Sequence, residues 1–589
     1  GGLRESCEEA AAQRVATMSL GFRSAVLAVV LGLASGVRRV SVEPPVDFVP
    51  PAWRVVGPTP REHFIELTFA VKQQGLKELH DTLLRVSTPS SPAYGQHLTS
   101  EEVNRLTAPA AQDARVIAAF LREHGFEPKD ATPNGDMVVV TVPVDQAERM
   151  LATEYVELSH AASGVKINRA LKGYMLPTAV AAAVDFVAPT THIPGVHRPA
   201  APVGTDANVS GFGFNTPKNL RKLYSVDVEG KASNNKQAVT AFLQQGYTTG
   251  SLKTFWKMFC GGITCGKGEP KLVGDAVAGS AGTESMLDIE TITGVAGNVA
   301  SEFWGFSGRS PDSPQNEPFM KWLEQLSSTS DAEVPKIFST SYGEDEGSWS
   351  YTASQRLNVE FQKAGARGIS LLYAAGDEGA NCKGGKFVPE GPGSSPYVTA
   401  VGGTAPGSSW PNPGANAETA IGLSSGGFSK YWPMPDWQKD VVQKYMKESG
   451  LPDASRGYNT SGRAYPDIAA QATNYFVYAG FPIPGVSGTS CASPAAAGLF
   501  SLLNDLRLQE GKSTLGFLNP FIYANAAAFN DITTGSGSGC GFTGGGWPAK
   551  PGWDAVTGVG TPNYANLAKV VAQLPAGHIS SNPEATLVV

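Results

Sequence analysis

Residues 486–498 read Val486-Ser487-Gly488-Thr489-Ser490-Cys491-Ala492-Ser493-Pro494-Ala495-Ala496-Ala497-Gly498. Small residues form a turn ahead of an apolar run from Ala495 to Leu503. This pattern predicts a helix with Pro494 in its first turn, where proline is tolerated. Ser490 would then lie at a helix N-terminus, where unpaired N–H groups and the helix dipole favour developing negative charge. That position suits a nucleophilic serine, and it suits a simple helix cap equally well.

A nucleophilic serine needs a neighbouring base, which in most serine hydrolases is a histidine. The chain has eight histidines, and none of them lies between Arg198 and Gly577. A Ser-His-Asp triad built within that region is therefore excluded. If Ser490 is a nucleophile, we expect its base to be a carboxylate.

The best candidate base lies in the segment around Glu284. Apolar residues from Met286 to Ile292 fall at helical spacings, and Thr283 is placed to cap the predicted helix. Glu284 and Asp288 are then one turn apart on one face. Paired in a cleft they would share a proton, and one apparent pKa would be raised. The alternative is two solvated acids on an exposed helix face.

A third acid follows an apolar run. The segment from Ile369 to Ala375 ends in Gly376-Asp377, which predicts a buried parallel strand that meets a loop. Functional groups gather at such carboxyl ends in doubly wound folds. Asp377 could be an ordinary turn residue. A protonated Asp377 could instead donate a hydrogen bond to an oxyanion.

Three motifs stand in one order along the chain: Glu284-x-x-x-Asp288, Gly376-Asp377 and Ser487-Gly488-Thr489-Ser490-x-x-x-Pro494. Together they resemble the sedolisin family of serine-carboxyl peptidases. Segments 341–346, 395–404, 461–467 and 552–558 are also similar to that family, and the similarity runs from about Glu62 to Leu574.

The resemblance implies a fold and four roles. The fold is a subtilisin-like, doubly wound parallel sheet with helices on both faces, an α/β architecture. Ser490 would be the nucleophile and Glu284 the general base and acid, with Asp288 orienting and tuning Glu284. Asp377 would stabilise the oxyanion. Members of the family work in acid, which agrees with the missing histidine.

Length and charge bound the remaining possibilities. The chain has 589 residues and a net charge of −7, so it is long enough for more than one domain. It has no basic patch, and we expect no nucleic-acid partner. Residues 18–36 have the form of a secretory signal peptide, and residues 1–17 are interpreted as non-native upstream sequence. No stretch reaches the roughly 20 apolar residues that a membrane span requires.

The chain divides into several predicted segments. Residues 53–198 alternate strands (64–71, 137–142) with helices (75–86, 145–152), which predicts a small α/β domain with an antiparallel sheet. Residues 91–99 resemble the activation prodomain of the sedolisins. Residues 199–211 have the composition of a processing linker, residues 212–575 form the predicted catalytic domain, and residues 576–589 are a predicted disordered tail.

Within the predicted catalytic domain, strands are expected at 237–243 and 369–374 and helices at 357–366 and 494–506. Seven of the eight histidines fall in the prodomain or at its end. Their protonation below about pH 6.5 could weaken prodomain docking and help activation. Surface histidines without consequence are the alternative.

Cysteine use fits an oxidising compartment. Cys260 and Cys265 could close a small loop; a metal pair is disfavoured because no second Cys/His pair is near in sequence. The family resemblance implies a bridge between Cys382 and Cys540. Cys491 is expected to be a packing residue, and Cys7 is expected to leave with the N-terminus. The glycosylation sequons at Asn208 and Asn459 fit a secretory route.

The resemblance also implies one bound calcium ion near the C-terminus. Its ligands would be the carboxylates of Asp531 and Asp554 and the carbonyl oxygens of Ile532, Lys550 and Gly552, which are hard oxygen donors. Lys550 stands where the family usually has glycine, but a carbonyl ligand tolerates a change of side chain.

These observations predict an extracellular or lysosomal zymogen that removes tripeptides from free N-termini of peptides and proteins at acid pH. Its own prodomain would act as inhibitor and chaperone. An acid endopeptidase of the same family is the alternative. A catalytically inactive binding protein on the same fold is disfavoured because all four chemical groups are present.

Overall fold

The computed structural model describes residues 38–161, 164, 166–194, 201–202, 213–242, 245–275, 281–306, 319–414, 416–540 and 545–577. The predicted signal peptide, the upstream segment, most of the linker and residues 578–589 of the predicted tail lie outside these residues. Two of the predicted tail residues are described. Ala576 accepts a backbone hydrogen bond from Ser513 at 2.9 Å, and Gly577 lies beside Gly95.

The N-terminal unit comprises residues 38–194. Its strands are β1 (Arg39–Glu43), β2 (Trp53–Pro58), β3 (Phe64–Val71), β4 (Lys129–Asp130), β5 (Met137–Pro143), β6 (Val156–His160), β7 (Lys166–Arg169), β8 (Tyr174–Pro177) and β9 (Val184–Ala188). Its helices are α1 (Leu76–Ser87), α2 (Ser100–Thr107), α3 (Ala111–Glu123), α4 (Val144–Leu151) and α5 (Thr178–Ala183). The sheets are antiparallel, with strand orders β4-β5-β3-β9 and β2-β6-β7. This confirms the predicted antiparallel α/β unit.

The C-terminal unit comprises residues 213–577, and the short strand β10 (Ala201–Pro202) precedes it. Its strands are β11 (Lys236–Ala241), β12 (Lys271–Val273), β13 (Ala300–Gly305), β14 (Ile337–Thr340), β15 (Glu344–Asp345), β16 (Ser370–Ala374), β17 (Cys382–Lys383), β18 (Lys386–Phe387), β19 (Glu390–Gly391), β20 (Thr399–Pro406), β21 (Glu418–Ala420), β22 (Gly427–Pro433), β23 (Gly462–Tyr465), β24 (Ile468–Gln471), β25 (Tyr475–Tyr478), β26 (Pro482–Ser487), β27 (Phe529–Asn530) and β28 (Thr561–Pro562). Its helices are α6 (Pro217–Leu223), α7 (Thr249–Phe259), α8 (Thr283–Ala296), α9 (Phe319–Ser328), α10 (Tyr351–Ala366), α11 (Lys439–Tyr445), α12 (Thr489–Gln509), α13 (Asn519–Ala524) and α14 (Tyr564–Gln573).

A mostly parallel sheet forms the centre of this unit. The strand order is β12-β13-β11-β14-β16-β20, with β24 parallel and β21 antiparallel alongside β20. The chain starts in the middle at β11, fills one side, and then continues on the other side from β14 onward. This arrangement confirms the predicted doubly wound parallel sheet, in which functional groups gather at the carboxyl ends of the strands.

Both faces of the central sheet are covered by helices. Successive strand residues alternate between two apolar clusters: Ile337 and Leu372 join the cluster that includes α8 and α12, whereas Phe338 and Leu371 join the one that includes α9 and α10. A strand with period-2 side chains and two buried faces reads as a continuous apolar run. The apolar run from Ile369 to Ala375 could therefore be recognised in the sequence as a buried strand.

The two units meet at α10, where charged side chains are buried. The Arg356 guanidinium donates to the carbonyls of Val71 at 2.8 Å and Asp136 at 3.0 Å. Lys363 Nζ lies 2.9 Å from Asp136 Oδ2 and 2.8 Å from a Glu360 oxygen. Because the charges are paired and bonded, removal of one partner would leave a buried charge uncompensated.

Two disulfides join the loops of the C-terminal unit. Cys260 is bonded to Cys265, and Cys382 to Cys540, which confirms both expected bridges. Cys491 is a buried free cysteine. Among the helices that the structure describes, none has the length and apolar content needed to cross a bilayer.

Candidate active site

Ser490 is the second residue of α12 and is 2% exposed. The helix begins at Thr489, five residues before the predicted start at Pro494, so Pro494 lies inside the helix and not in its first turn. The N-cap position is Gly488, which has no side chain with which to cap the helix. The interpretation of Ser490 as a helix cap is therefore wrong, and its hydroxyl is not used for capping.

Glu284 and Asp288 lie on α8, four residues apart, and are 0% and 1% exposed. Every residue of α8 after Thr283 is buried, so the alternative of an exposed acidic face is wrong. Thr283 is the first helical residue and does not cap, because the N-cap position is Gly282. Burial, followed by the neighbouring Glu284 carboxyl, raises the pKa of Asp288 well above its usual range.

The helices α8 and α12 run side by side in the same direction. A Cβ atom on Gly498 would lie 3.1 Å from Val295 Cβ and 3.2 Å from the Ile292 oxygen, so the backbones approach closely there. At the other end, burial and then the charges of Glu284, Asp377 and Asp288 raise the pKa of Cys491, next to Ser490. Both first turns therefore lie at the same end of the helix pair.

Ser341 connects the carboxyl pair with the serine segment. It follows β14 directly and is 0% exposed. Its hydroxyl donates to Asp288 Oδ1 at 2.8 Å and lies 3.5 Å from the Ser490 carbonyl oxygen. Because Pro494 has no N–H, the Ser490 carbonyl lacks its i+4 helical donor. Ser341 stands in the place of that donor.

Asp377 lies beyond the carboxyl end of β16 and contacts the residue before Ser490. The Thr489 N–H donates to Asp377 Oδ1 at 2.6 Å, and the Thr489 hydroxyl donates to the same oxygen at 2.9 Å. The Gly376 N–H donates to the Thr489 hydroxyl at 3.0 Å. Asp377 is half-buried and accepts one of the first-turn N–H groups that a helix leaves without an internal partner.

The four predicted residues therefore converge on one place in the fold: the first turns of α8 and α12 and the carboxyl ends of β14 and β16. Sequence reasoning did not assign roles to Ser341 and Thr489. Ser341 could have been found by the rule that selected Asp377, because it directly follows the strand that neighbours β16.

Comparisons with known proteins place this arrangement in a family. Residues 51–193 match the family model described as Pro-kumamolisin, activation domain, and residues 274–515 match the Subtilase family. Tripeptidyl-peptidase 1 of Mus musculus is 36% identical over 577 residues, which cover 94% of this chain and 100% of that protein. The Homo sapiens protein of the same name is 36% identical over 574 residues, with the same two coverages of 94% and 100%. The chain belongs to the tripeptidyl-peptidase 1 family.

The sedolisin resemblance is thereby confirmed, and the protein is a serine-carboxyl peptidase made as a zymogen with an N-terminal activation domain. Among solved structures, a Pseudomonas sedolisin, titled a serine-carboxyl proteinase complexed with pseudo-iodotyrostatin, aligns with a TM-score of 0.49 and 22% identity over 61% of this chain and 98% of that chain.

The predicted linker passes close to the Ser490 segment. Strand β10 pairs antiparallel with β26, with Ala201 opposite Ser487 and Pro202 opposite Val486. Ser487 is three residues ahead of Ser490. The chain that connects activation domain and peptidase is thus held beside the strand that leads to Ser490, in the extended form in which peptides add to a sheet edge.

The residues expected to bind calcium lie in two adjoining loops. The Gly552 N–H donates to Asp531 Oδ2 at 2.8 Å, and the Lys550 N–H donates to Asp554 Oδ2 at 3.1 Å, so one turn links both carboxylates. The carbonyls of Ile532, Lys550 and Gly552 accept no backbone hydrogen bond from the described residues.

This donor set fits a hard cation. Within the described ranges, no group of three or more His, Cys, Asp or Glu side chains could hold a metal ion. A metal bound here would therefore depend on the carbonyl oxygens.

Proposed function

We propose that this serine-carboxyl peptidase works at acid pH and releases tripeptides from free N-termini. Glu284 takes the proton of the Ser490 hydroxyl while the Ser490 oxygen attacks the peptide carbonyl carbon. Protonated Asp377 donates to the oxyanion, and Glu284 returns the proton to the leaving amine. Water, activated by the same carboxylate, then hydrolyses the acyl-enzyme.

The observation that carries this proposal is the buried carboxyl pair, in a catalytic region whose sequence has no histidine. The raised pKa of Asp288 means that Asp288 keeps its proton as the pH rises above the usual range of a carboxyl. The pair then holds one proton, and Glu284 is available as base. The arrangement is lost when the pH rises through the pKa of Asp288, which sets an upper pH limit on activity.

Release from a free N-terminus needs an anion for the substrate ammonium group. Glu344 supports this role because it is buried and is close in sequence to Ser341. In the zymogen its Oε1 lies 2.9 Å from His192 Nε2 of the activation domain, and the His192 ring stacks on Trp349 at 3.9 Å. In the zymogen this carboxylate, which lies beside an aromatic ring, binds the imidazole of the prodomain. After the prodomain has left, the same carboxylate and ring could bind the ammonium group of a substrate.

A kinetic comparison tests the mechanism. Glu284→Gln keeps the shape of the side chain but removes the base, so kcat for a free-amine tripeptide reporter should fall about 10²–10⁴-fold. The matched control is Glu290→Gln, a buried carboxyl on the same helix that accepts the Tyr478 N–H instead. A Glu284→Gln enzyme with unchanged kcat would refute the assignment.

Two further measurements separate the alternatives. An exopeptidase cleaves the free-amine reporter and spares its N-acetylated form, whereas an endopeptidase cleaves both. Glu344→Gln should raise KM for the free-amine reporter, whereas Glu346→Gln should not, because Glu346 already accepts the Lys430 N–H at 2.7 Å. An inactive binding protein would leave Ser490 unlabelled by a fluorophosphonate after the prodomain is removed.

One calcium ion, held by the carboxylates of Asp531 and Asp554 and the carbonyls of Ile532, Lys550 and Gly552, is part of the proposal. Its chemistry is neutralisation of two carboxylates and fastening of two loops, not catalysis. A chelator should lower the unfolding temperature of the protein, and Asp531→Asn should lower it to the same value without chelator.

The proposed location is the secretory pathway, with an extracellular or lysosomal destination. Two disulfides and an exposed Asn459 sequon support this location. Loss of mass on treatment with an N-glycosidase would test the sequon directly.

A further inference from the structure

The loop that carries Asp377 is held from outside by Ser425. The Ser425 N–H donates to the Gly376 carbonyl at 2.9 Å, and its hydroxyl accepts the Glu378 N–H at 3.0 Å. Ser425 is 0% exposed. The residues on both sides of Asp377 are therefore bonded to one serine.

The orientation of the Ser425 hydroxyl is set by Glu390. The hydroxyl donates to Glu390 Oε1 at 2.7 Å. A hydroxyl has one hydrogen, so this bond directs its lone pairs toward the Glu378 N–H. Glu390 itself is fixed by its backbone, because its N–H donates to the Tyr465 hydroxyl at 2.9 Å and β19 pairs with β15.

Gly376 makes room for this carboxyl. A Cβ atom on Gly376 would overlap the Glu390 carboxyl group, and Gly376 has a φ of 109°, which side chains rarely adopt. The Glu390 carboxyl therefore lies directly against the residue before Asp377. No other residue type at position 376 would leave this space.

We propose that Glu390 is a positioning residue of the active site: through Ser425 and Gly376 it fixes the loop that aims the Asp377 carboxyl. This inference rests on the proposed oxyanion role of Asp377. The Glu390 carboxyl accepts from Ser425 and lies against Gly376, so it acts on the reaction through the Asp377 loop.

The charges around Glu390 favour its neutral form. Burial raises its pKa to about 8, with smaller contributions from Asp377, Asp345 and Glu378, while the Ser425 hydrogen bond lowers it. In the acid range Glu390 therefore adds no negative charge beside Asp377. Its neutral state can be reproduced by a glutamine, which keeps an oxygen for the Ser425 hydroxyl.

Steady-state kinetics of the matured enzyme test the proposal. Glu390→Ala frees the Ser425 hydroxyl and opens a space beside Gly376. Since small misplacements of a catalytic group are costly, kcat should fall about 10- to 100-fold while KM changes less than about twofold. Glu390→Gln should keep kcat within about twofold of the wild type at acid pH. Ser425→Ala should reproduce the loss of kcat.

A matched control is Glu418→Gln. That carboxyl is also buried with a raised pKa, but its partners are Tyr224, Thr404, Gln471 and Thr561. The kcat of the Glu418→Gln enzyme should equal that of the wild type. Fluorophosphonate labelling and the unfolding temperature report whether each variant is folded. If Glu390→Ala does not fold, the kcat of Ser425→Ala decides whether the Asp377 loop needs this support.

Asp377→Asn distinguishes a failure of the oxyanion role of Asp377 from a failure of the positioning role of Glu390. If Asp377→Asn keeps full kcat, the oxyanion role fails and the proposal fails with it. If Asp377→Asn loses kcat but folded Glu390→Ala and Ser425→Ala keep it, the positioning role alone is overturned. Loss in all three variants, with rescue by glutamine at position 390, supports it.

Discussion

At the scale of single residues, the site depends on a proline that interrupts a helix and a serine that replaces the missing donor. Pro494 leaves the Ser490 carbonyl without its helical hydrogen bond, and the Ser341 hydroxyl approaches that oxygen at 3.5 Å. The same hydroxyl donates to Asp288 at 2.8 Å. Since it has one hydrogen, it serves both acceptors only when protonated Asp288 can act as donor in turn.

The first prediction concerns Ser341→Ala. The Ser341 hydrogen bond lowers the pKa of Asp288, so its loss should raise that pKa further and move the alkaline limb of kcat to higher pH. The lost bond should also reduce kcat about five- to tenfold, the equivalent of about 1 kcal/mol. A pH series of kcat measures both effects.

Ser339→Ala is the control for that series. Ser339 is also buried on β14 and also contacts α12, but its hydroxyl lies 2.8 Å from the Ser493 hydroxyl. In Ser339→Ala the alkaline limb of kcat should lie at the same pH as in the wild type. An unmoved limb in Ser341→Ala would show that the contact does not act on the carboxyl pair.

The residues that could be predicted are those whose chemistry follows local rules. Glu284 and Asp288 follow from helical spacing, and Asp377 follows from the end of a buried strand. Ser341 also follows the end of a buried strand and could have been found in the same way. Glu390 could not be assigned, because its side-chain partner lies on another element far along the chain. Glu390 acts through Ser425, which is 35 residues away in sequence.

At the scale of elements, the crossing of α8 and α12 brings the serine and the carboxyl pair together. Gly498 permits it, because the backbone of α8 leaves no room for a larger side chain. The sequence predicts the start of α12 too late, because proline is common in a first turn, whereas Pro494 lies inside this helix. The sequence likewise predicts a start at Leu357 for α10, whereas Ser350 caps that helix and it begins at Tyr351.

The second prediction is that Gly498→Val destabilises the folded protein by about 1–3 kcal/mol, since added methyl groups would overlap α8. It should also reduce kcat by separating Ser490 from Glu284. Urea unfolding monitored by tryptophan fluorescence measures the first effect. Gly250→Val is the control: Gly250 is a helical glycine with no atom within 4 Å of an added Cβ. Equal losses in both variants would contradict the role of the crossing.

At the scale of the whole molecule, buried carboxyls set how stability depends on pH. Burial raises the pKa of Asp288, Glu290, Glu302, Glu346, Glu390, Glu418 and Asp467. A folded state with raised carboxyl pKa values binds more protons than the unfolded chain. The stability they contribute is therefore complete below their unfolded pKa values and is lost as the pH rises through the folded ones.

The third prediction is that the free energy of unfolding of the zymogen falls between pH 6.5 and 8.5. One such carboxyl contributes at most about 1.4 kcal/mol per pH unit. Glu390→Gln should make the decline shallower, because Glu390 titrates near pH 8 in the folded protein. Replacement of the exposed Glu78 by glutamine should leave the slope unchanged. A stability that is flat or rising over this range would contradict the prediction.

The contact between activation domain and peptidase contains groups that respond to acid in opposite ways. Burial opposes ionisation of Asp136, but Lys363 and Arg356 outweigh it and hold its pKa below the usual range. Acid therefore does not neutralise this cluster. His97 differs: a Cβ atom on Gly368 or Gly516 would overlap its ring, and its buried Nε2 has no hydrogen-bond partner among the described residues.

The last prediction follows from His97. Burial, then Lys336 and Arg507, lowers its pKa to about 3, whereas a released prodomain would expose it with an ordinary value near 6.5. The docked form binds fewer protons, so docking weakens as the pH falls below about 6.5, by about 1.4 kcal/mol per pH unit until the docked pKa is reached.

His97→Gln should make maturation depend less steeply on pH. His124→Gln, whose ring bonds the Phe120 carbonyl inside the prodomain, should keep the wild-type steepness. Gel analysis of the mature chain across a pH series measures this, and an equally steep His97→Gln curve would contradict the role of the His97 imidazole.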